Sequence, residues 1–512
     1  MKLRRRLSPG AWLVRVLGWV VLVPALVLAL VVQFVPGPAR VVRDLTRGPE
    51  AAIGAPKTPC SEVRSPRQQP TAGHSDPDGT LRVFAIQYTL DFDDVRDYAT
   101  WRRTVECLME DLVQPYRKQG QPTLVVFPED MGLPTIAMGM RGATARAQSG
   151  SVASAVSEAV PLGLGTALGQ LNLAYSTQIA AYQARFGPID PRKQVFVAAT
   201  DTFARAVNIT FSDIAKQYGV YVVVSNNQAQ YRETRNPVEV ALFADPAVKS
   251  DVAYVATSSR VTNSTFLWGP EDVDASAPDG MTNLLFRNEK VPLTALEKDL
   301  IGLDEGPRTG PAAQANAGGP QIAGFKVGLA TSLPAFTYGY PYGKRPKDFE
   351  PCADTAVSFA ACQDAQGVTL QIQADANPGR WAATTLAGNW QPLEWMSSVW
   401  RAVTDPTVHF KYNVTPMMNG NLMDLVFDGQ STISARDMRS TPQMFVGNSY
   451  QGDAQDMRVY AGRKPQFLAM TEWSGGAGND RAELERQAAA LAPHGDRAGE
   501  YLQTAVFADL VP

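Results

Sequence analysis

The sequence predicts an α/β fold, because stretches typical of buried strands alternate with stretches typical of amphipathic helices. The run TLVVF at residues 123–127 is continuously apolar, as in strands that are covered on both faces. In the stretch GFKVGLATSLP, apolar Phe325, Val327 and Leu329 stand at every second position, which also indicates a buried strand. Between such strands, residues 98–116 place their apolar side chains on one face of a helix.

Composition excludes several classes of function. The chain has 512 residues, which is enough for one large domain or two to three ordinary ones. Its net charge of -3 gives no basic surface of the kind that binds nucleic acid. Of its three histidines, only His409 falls in a predicted strand, and a strand histidine with a local partner is the preferred interpretation over a Ser-His-Asp triad. Without HExxH, CxxC or GxxxxGK[ST] patterns, the sequence predicts no metal and no cofactor.

The N-terminus carries the pattern of a membrane anchor. Residues 1–10 form a basic segment that we expect to stay in the cytoplasm. Residues 11–36 form the predicted signal anchor. The run from Val16 to Phe34 contains no charged residue and is long enough to span a hydrocarbon core, which takes about 20 residues. No A-x-A cleavage site follows, so we favour an uncleaved transmembrane helix over a removed signal peptide. The sequence thus predicts a single-pass protein of the cell membrane with an extracytoplasmic domain.

The remainder divides into a linker, one folded domain and a tail. Residues 37–80 are rich in Pro, Ser, Gly and charge, which is typical of a linker without a core. We expect the folded domain to span residues 81–474 and to contain an insertion at residues 138–197, which is rich in Ala, Gly and Ser. The polar residues 475–512 are predicted to form a C-terminal tail.

The four cysteines are Cys60, Cys107, Cys352 and Cys362, and they could pair in an oxidising compartment. The last two lie ten positions apart in a helix predicted near residues 348–364. In a continuous helix that spacing is too long for a disulfide. The pairing is therefore left open.

Three polar side chains follow predicted strands. Glu129 comes after TLVVFP, Lys290 precedes a Val-Pro pair, and Ser332 ends the strand KVGLAT. Reactive side chains often collect at the carboxyl ends of strands in α/β folds. Each residue also has an ordinary explanation, since a turn glutamate, a surface lysine and a turn serine are common. The three residues together, in this order along the chain, are stronger evidence for a shared site than any one of them alone.

In that order, these segments resemble the carbon–nitrogen hydrolase family, or nitrilase superfamily, over about residues 81–440. LRVFAIQ is similar to the opening strand of the family, LVVFPED to its general-base segment, and NEKVPLTALE to its lysine segment. KVGLATS is similar to the nucleophile strand, and GQSTI to a segment near the end of the domain. The resemblance implies the family fold, a four-layered α-β-β-α sandwich.

The resemblance also implies roles for particular residues. Glu129 would be the general base, and Lys290 would stabilise the oxyanion. Glu297 would be the second glutamate, which holds the lysine or aids proton transfer. The backbone N–H of Leu333 would contribute to the oxyanion hole. The implied ligand is a small amide or nitrile-like molecule, and family members often form homo-oligomers, a question that we leave open here.

Ser332 departs from the family pattern, in which the nucleophile is a cysteine. A thiol ionises readily, with a pKa of about 8.5, whereas a hydroxyl needs a well-placed base during its attack. Cys352 and Cys362 do not replace the missing thiol, because they fall after the strand end, in the predicted helix.

Two interpretations therefore remain open. The first is a membrane-anchored, amidase-like hydrolase that forms an acyl-enzyme on Ser332. The second is a catalytically inactive protein of this fold, which binds an amide-like ligand or a protein partner. Lipoprotein N-acyl transfer ranks last, because the relative that performs it has several transmembrane helices and this chain shows one apolar run.

Overall fold

The computed structural model describes residues 58–63, 69–73, 76–148, 162–378, 391–423, 425–436, 467–471 and 502–512. The basic segment 1–10 and the predicted signal anchor 11–36 lie outside these residues. In the part of the chain that is described, no helix has both the length and the apolar character needed to cross a membrane.

Strands and helices alternate along the described chain, which confirms the predicted α/β fold. The strands are β1 (Thr71–Ala72), β2 (Leu81–Leu90), β3 (Thr123–Val126), β4 (Tyr221–Thr234), β5 (Ala253–Trp268), β6 (Leu284–Glu289), β7 (Gln321–Ile322), β8 (Phe325–Leu329), β9 (Leu370–Ile372), β10 (Tyr412–Thr415), β11 (Met418–Leu422), β12 (Leu425–Phe427), β13 (Thr432–Ala435), β14 (Phe467–Met470) and β15 (Thr504–Leu510). The α-helices are α1 (Tyr98–Leu112), α2 (Gly139–Gln148), α3 (Leu162–Ala174), α4 (Ser176–Phe186), α5 (Gln194–Ala198), α6 (Thr200–Phe203), α7 (Thr210–Tyr218), α8 (Pro237–Phe243), α9 (Gly310–Ala317), α10 (Thr355–Ala365) and α11 (Gln391–Thr404). Turns of π-helix occur at Ala204–Ile209 and Leu296–Ile301, and 3-10 turns at Cys60–Glu62, Gln114–Tyr116, Leu133–Ala137 and Leu333–Phe336.

The strands form two sheets. The first has the order β1-β15-β2-β3-β4-β5-β6, and β11 and β12 join it beside β2. The second has the order β14-β13-β10-β9-β8-β7. Strands β2, β3 and β4 are mutually parallel, and so are β8, β9 and β10. Within each parallel set the carboxyl ends of the strands share one edge, which is where side chains from different strands can meet.

The two sheets pack face to face. Phe325, Val327 and Leu329 of β8 are fully buried in one apolar core with Val83 and Val126 of the first sheet. On the outer face of the first sheet, helices α1 and α7 contribute to a second core. Helix α11 contacts β10 and β13 on the second sheet, and α10 is bound to β8 by a side-chain hydrogen bond to a strand carbonyl. The layers therefore run helix, sheet, sheet, helix.

The last described segment corrects the predicted C-terminal tail. Residues 504–510 form β15, which pairs antiparallel with β2 from Leu81 to Gln87. Along β15, Val506 faces the core between the sheets, while Phe507 faces the helix-covered core and stacks on Phe84 at 5.2 Å between ring centroids. Alternate side chains thus serve two cores, so this segment belongs to the folded domain. β1, at the end of the predicted linker, pairs with β15 and joins the same sheet.

Both cysteine pairs are disulfides. Cys60 and Cys107 join the predicted linker to helix α1, with a Cα–Cα distance of 5.4 Å. Cys352 and Cys362 are also bonded, at a Cα–Cα distance of 4.7 Å, because the continuous helix that would keep them apart does not form over both residues. The reason is the helix start: Asp354 accepts the Ala356 N–H as the N-cap, so Cys352 precedes the helix.

The insertion predicted at residues 138–197 adds to the main core. Its described part contains helices α2 to α5, with residues 149–161 outside the described chain. Leu164, Leu171 and Ile179 are buried in the core that covers the outer face of the first sheet. These helices therefore extend an existing core and do not form one of their own.

Candidate active site

A buried cluster brings Glu129, Lys290 and Glu297 together. Lys290 Nζ lies 2.6 Å from Glu129 Oε1 and 2.9 Å from Glu297 Oε2. The side chains of Lys290, Glu129 and Glu297 are 2%, 4% and 7% exposed, respectively. One cation between two carboxylates leaves the cluster with a net negative charge if all three groups are ionised, in a setting where water cannot screen it.

The fold fixes each member of this cluster locally. Glu129 follows β3, and Lys290 follows β6, where its backbone N–H donates to the carbonyl of Asn263 at 2.9 Å. Glu297 lies in the π-helical turn after β6. Its Oε2 accepts hydrogen bonds of 2.8 Å from both the N–H and the hydroxyl of Thr294, and its own N–H donates back to that hydroxyl at 3.3 Å. This reciprocal capping arrangement holds the carboxylate toward the lysine.

Asn263 is a member of the cluster that the sequence did not reveal. Its Nδ2 donates to Glu129 Oε1 at 2.8 Å and to Glu297 Oε1 at 2.7 Å, and the residue is 1% exposed. It lies in β5, where the polar run TNST at residues 262–265 is buried. A polar run inside an otherwise apolar strand was the available signal, because buried polar groups need partners.

Burial and the lysine together set the charges of the cluster. Burial raises the pKa of Glu129 well above its usual value, and the Lys290 ammonium offsets this only in part. Burial alone would also raise the pKa of Glu297, but Lys290, Asn263 and the Thr294 N–H together bring it below its usual value. Burial disfavours the charged form of Lys290, yet the two glutamates raise its pKa above the usual value. The geometry therefore keeps the lysine positively charged.

Ser332 lies just beyond β8 in a strained backbone conformation. Its φ is 57° and its ψ is -118°, a region that non-glycine residues rarely occupy. The residue is 7% exposed and leads directly into the helical turn Leu333–Phe336. A sharp strand-to-helix turn of this kind presents a nucleophilic side chain at the end of a sheet. Leu333 opens the turn, so its N–H has no partner inside the turn and could bind an oxyanion.

A contact between the sheets links the end of β8 to the strand that carries Asn263. The hydroxyls of Thr331 and Thr265 are hydrogen-bonded, which joins the end of β8 to β5. Thr265 and Asn263 are two positions apart in β5 and so share one face of the strand. The serine therefore follows a residue that is tied to the face that carries Asn263.

Asp375 is the second residue that the sequence did not reveal. Hydrogen bonds from Ala330 N to Ile372 O at 2.8 Å and from Ser332 N to Ala374 O at 2.9 Å continue the parallel pairing of β8 with β9. This register aligns Ser332 with Asp375 at the neighbouring strand end. The position of Asp375 beside Ser332 depends on the pairing register of β8 with β9, which cannot be read from one amino-acid sequence.

An apolar cavity adjoins the cluster on the side of Asp130 and Glu297. Its other lining residues are apolar and include Leu133, Ile136 and Phe427. Burial raises the pKa of Asp130 to about 7, and the nearby Glu297 carboxylate adds to the increase. A concave apolar pocket with a few convergent polar groups is the usual form of a small-molecule site.

The remaining candidate nucleophiles and bases are occupied elsewhere. Cys362 is part of a disulfide and has no free thiol. His409 has an exposed side chain, and its Nδ1 lies 3.0 Å from Asp364 Oδ1, so it has the local partner that the sequence suggested. Neither residue belongs to the cluster of Glu129 and Lys290.

Comparison with known proteins gives similarity at the level of solved structures. No protein-family model and no curated protein matches the chain. The chain is similar to an amidase from Nesterenkonia sp., with 16% identity, coverage of 71% of this chain and 85% of that chain, and a TM-score of 0.35. A serine-for-cysteine mutant of the Nesterenkonia AN1 amidase, from the nitrilase superfamily, gives 17% identity, coverage of 70% and 84%, and a TM-score of 0.33. These structural neighbours are nitrilase-superfamily amidases, and both the identities and the TM-scores are low.

Proposed function

We propose that this protein is an amidase-like hydrolase that cleaves a small amide through an acyl-enzyme on Ser332. The observation that carries the proposal is the strained backbone of Ser332 at a strand-to-helix turn, which Thr331 ties to the strand that carries Asn263 of the buried Glu-Lys-Glu cluster. Strain of this kind costs about 1 to 3 kcal/mol and persists where the surrounding structure enforces it, commonly at functional sites.

The reaction assigns one task to each group. The Ser332 hydroxyl attacks the amide carbonyl, and the developing oxyanion is stabilised by the Lys290 ammonium and the Leu333 N–H. Glu129 is the general base that the family resemblance implies, and it moves protons during acyl transfer. Glu297 and Asn263 hold the lysine and Glu129 in place through the hydrogen bonds described above.

A fluorophosphonate probe tests the proposal, because it labels activated serine hydroxyls. Purified wild-type protein should be labelled, and Ser332→Ala should not be labelled. The matched control is Ser212→Ala, which removes another buried hydroxyl at a distance from the cluster and should leave labelling unchanged. Failure to label the wild type, together with no turnover of an amide panel, would favour the inactive, ligand-binding interpretation. Amide hydrolysis gained by Ser332→Cys would then show that the rest of the site is intact.

We also propose that residues 11–36 anchor the protein in the cell membrane, with the domain outside. Support comes from the basic segment followed by an apolar run. The two disulfides also support it, since disulfides persist in oxidising compartments. Protease added to intact cells should digest the domain and leave a cytosolic marker whole. A domain that stays protected until the cells are lysed would contradict this orientation.

A further inference from the structure

The carboxylate of Asp375 is held by a buried network of side-chain amides. Gln373 Nε2 donates to Asp375 Oδ2 at 3.2 Å. Asn413 Nδ2 donates to Gln373 Oε1 at 3.0 Å and to Gln371 Oε1 at 2.9 Å, and Gln371 Nε2 donates to Gln363 Oε1 at 3.0 Å. All five residues are fully buried. A network of this extent fixes the orientation of a carboxylate with little freedom left.

Among the described residues, the other oxygen of the same carboxylate has no close partner. Asp375 Oδ1 has no hydrogen bond within the described part of the chain, although the residue is 0% exposed. A buried acceptor without a partner is costly, and such atoms often have a functional reason. The Ser332 hydroxyl is near enough to lower the pKa of Asp375, although it makes no close hydrogen bond in this structure. Hydrogen bonds of catalytic groups are often long before substrate binds.

We propose that Asp375 is a second catalytic carboxylate, which accepts the proton of the Ser332 hydroxyl as that oxygen attacks the amide carbonyl. The inference rests on the proposed amide hydrolysis and divides its proton transfers between two carboxyl groups: Asp375 activates the serine, and Glu129 serves the leaving amine and the attacking water. Glu129 Oε1 and both oxygens of Glu297 face Lys290, Asn263 or Thr294, while Glu129 Oε2 does not. Asp375 lies opposite the serine in the strand register. A hydroxyl needs such a base, and a thiol does not.

The proton transfers balance over one turnover. In acylation the Oγ–C bond forms, the serine proton passes to Asp375, and the carbonyl electron pair moves to the oxygen beside Lys290. The carbonyl then reforms, the C–N bond breaks, and the amine leaves with a proton from Glu129, whose raised pKa favours the acid form. In deacylation water attacks the ester, its proton passes to Glu129, and the serine oxygen leaves with the proton held by Asp375. Both carboxyl groups return to their initial states.

The environment of Asp375 suits a base that works near neutral pH. Burial raises its pKa to about 6, while Gln373, the Ser332 hydroxyl and the Lys290 ammonium limit the increase. The charge of Asp375 also contributes to the raised pKa of Glu129, so the two carboxyl groups influence each other. Lys290 and Glu129 are therefore charged or titratable groups that act on Asp375.

The test is the rate of fluorophosphonate labelling of Ser332 in the full-length protein, since labelling reports nucleophile activation without a leaving amine. Asp375→Asn should slow labelling by at least about 100-fold, because general-base assistance contributes about 10²–10⁴-fold. Asp375→Glu should recover part of the rate. Asp94→Asn is the matched control, since it neutralises another fully buried acid that contacts Tyr88 and Thr104, and it should have no effect.

The pH profile separates a base from a structural residue. The wild-type labelling rate should rise as the pH increases through about 6, because only the ionised carboxylate can accept the proton. The rise should persist in Glu129→Gln and disappear in Asp375→Asn. In a Ser332→Cys background, where the nucleophile ionises unaided, Asp375→Asn should slow alkylation of the thiol by iodoacetamide by less than about tenfold.

The outcomes distinguish this inference from the proposed function. Labelling that depends on Asp375, in a protein that hydrolyses no amide, supports the inference and overturns the amidase proposal. Amide hydrolysis with labelling that is unchanged in Asp375→Asn but lost in Glu129→Gln overturns the inference and retains the amidase. An equal loss in the Ser332 and Cys backgrounds, with an unchanged pH profile, shows a structural role and also overturns it.

Discussion

Replacing Lys290 with methionine should abolish amide hydrolysis and lower the free energy of unfolding by about 3 to 5 kcal/mol. Methionine has a similar length but no charge, so Glu129 and Glu297 would face each other in a buried site without the ammonium that lies 2.6 Å from one and 2.9 Å from the other. The loss of activity follows from removing the charge that stabilises the oxyanion. The loss of stability follows from leaving buried carboxylates without their cation.

Urea unfolding across a range of pH measures the second effect. Without the lysine, the pKa values of both glutamates should lie above those of the unfolded chain, so the variant should lose stability as the pH rises from 4 to 8. In the wild type, Glu297 should make the opposite contribution. Its lowered pKa means that the ionised carboxylate stabilises the folded state at neutral pH, and this stabilisation is lost as the pH falls. The control is Lys216→Met, which breaks an exposed ion pair with Asp272 and should cost less than about 1 kcal/mol. Equal costs for the two variants would contradict this description of the cluster.

Replacing Glu129 with glutamine should lower kcat/KM for an amide by about 100- to 10,000-fold, the usual contribution of general acid–base catalysis. Glutamine has nearly the same size and can still accept a hydrogen bond from Lys290, so the fold should be retained. The loss should appear mainly in kcat, because proton transfer occurs in the transition state.

Steady-state kinetics with a series of amides gives the measurement. The loss should be greatest for amides with strongly basic leaving amines, which depend most on a proton from the enzyme. Glu106→Gln, which removes a buried charge from helix α1 and its ion pair with Arg102, is the matched control. A change confined to KM would indicate that Glu129 only binds the substrate.

The positions of Glu129, Lys290 and Ser332 could be predicted because each follows a local pattern, a strand that ends before a polar residue. Asp375 and Asn263 could not be predicted in the same way. Asp375 is opposite Ser332 only through the register of β8 with β9, and register is a property of two segments that are distant in sequence. Asn263 joins the cluster because β5 pairs with β6 and brings it beside Lys290.

The errors at the cysteines and at the C-terminus also have physical causes. The helix that contains Cys362 starts where Asp354 caps it, a few residues later than predicted. Cys352 therefore precedes the helix and can form the disulfide with Cys362. The strand β15 follows a long polar stretch, and the polar composition of that stretch concealed the strand pattern of residues 504–510. In both cases the overall composition of a segment hid the local feature that determined its structure.

The pairing of β15 with β2 has a consequence for biosynthesis. Arg82 and Asp509 form a buried ion pair across these strands, at a sequence separation of 427 residues. At about 5–20 residues per second, a ribosome needs on the order of 20 to 85 s to synthesise the residues between them. During this interval β2 has an open edge, the kind that recruits foreign strands. The chain therefore depends on whatever protects that edge, a chaperone or its own incomplete sheet, until its last strand has been made.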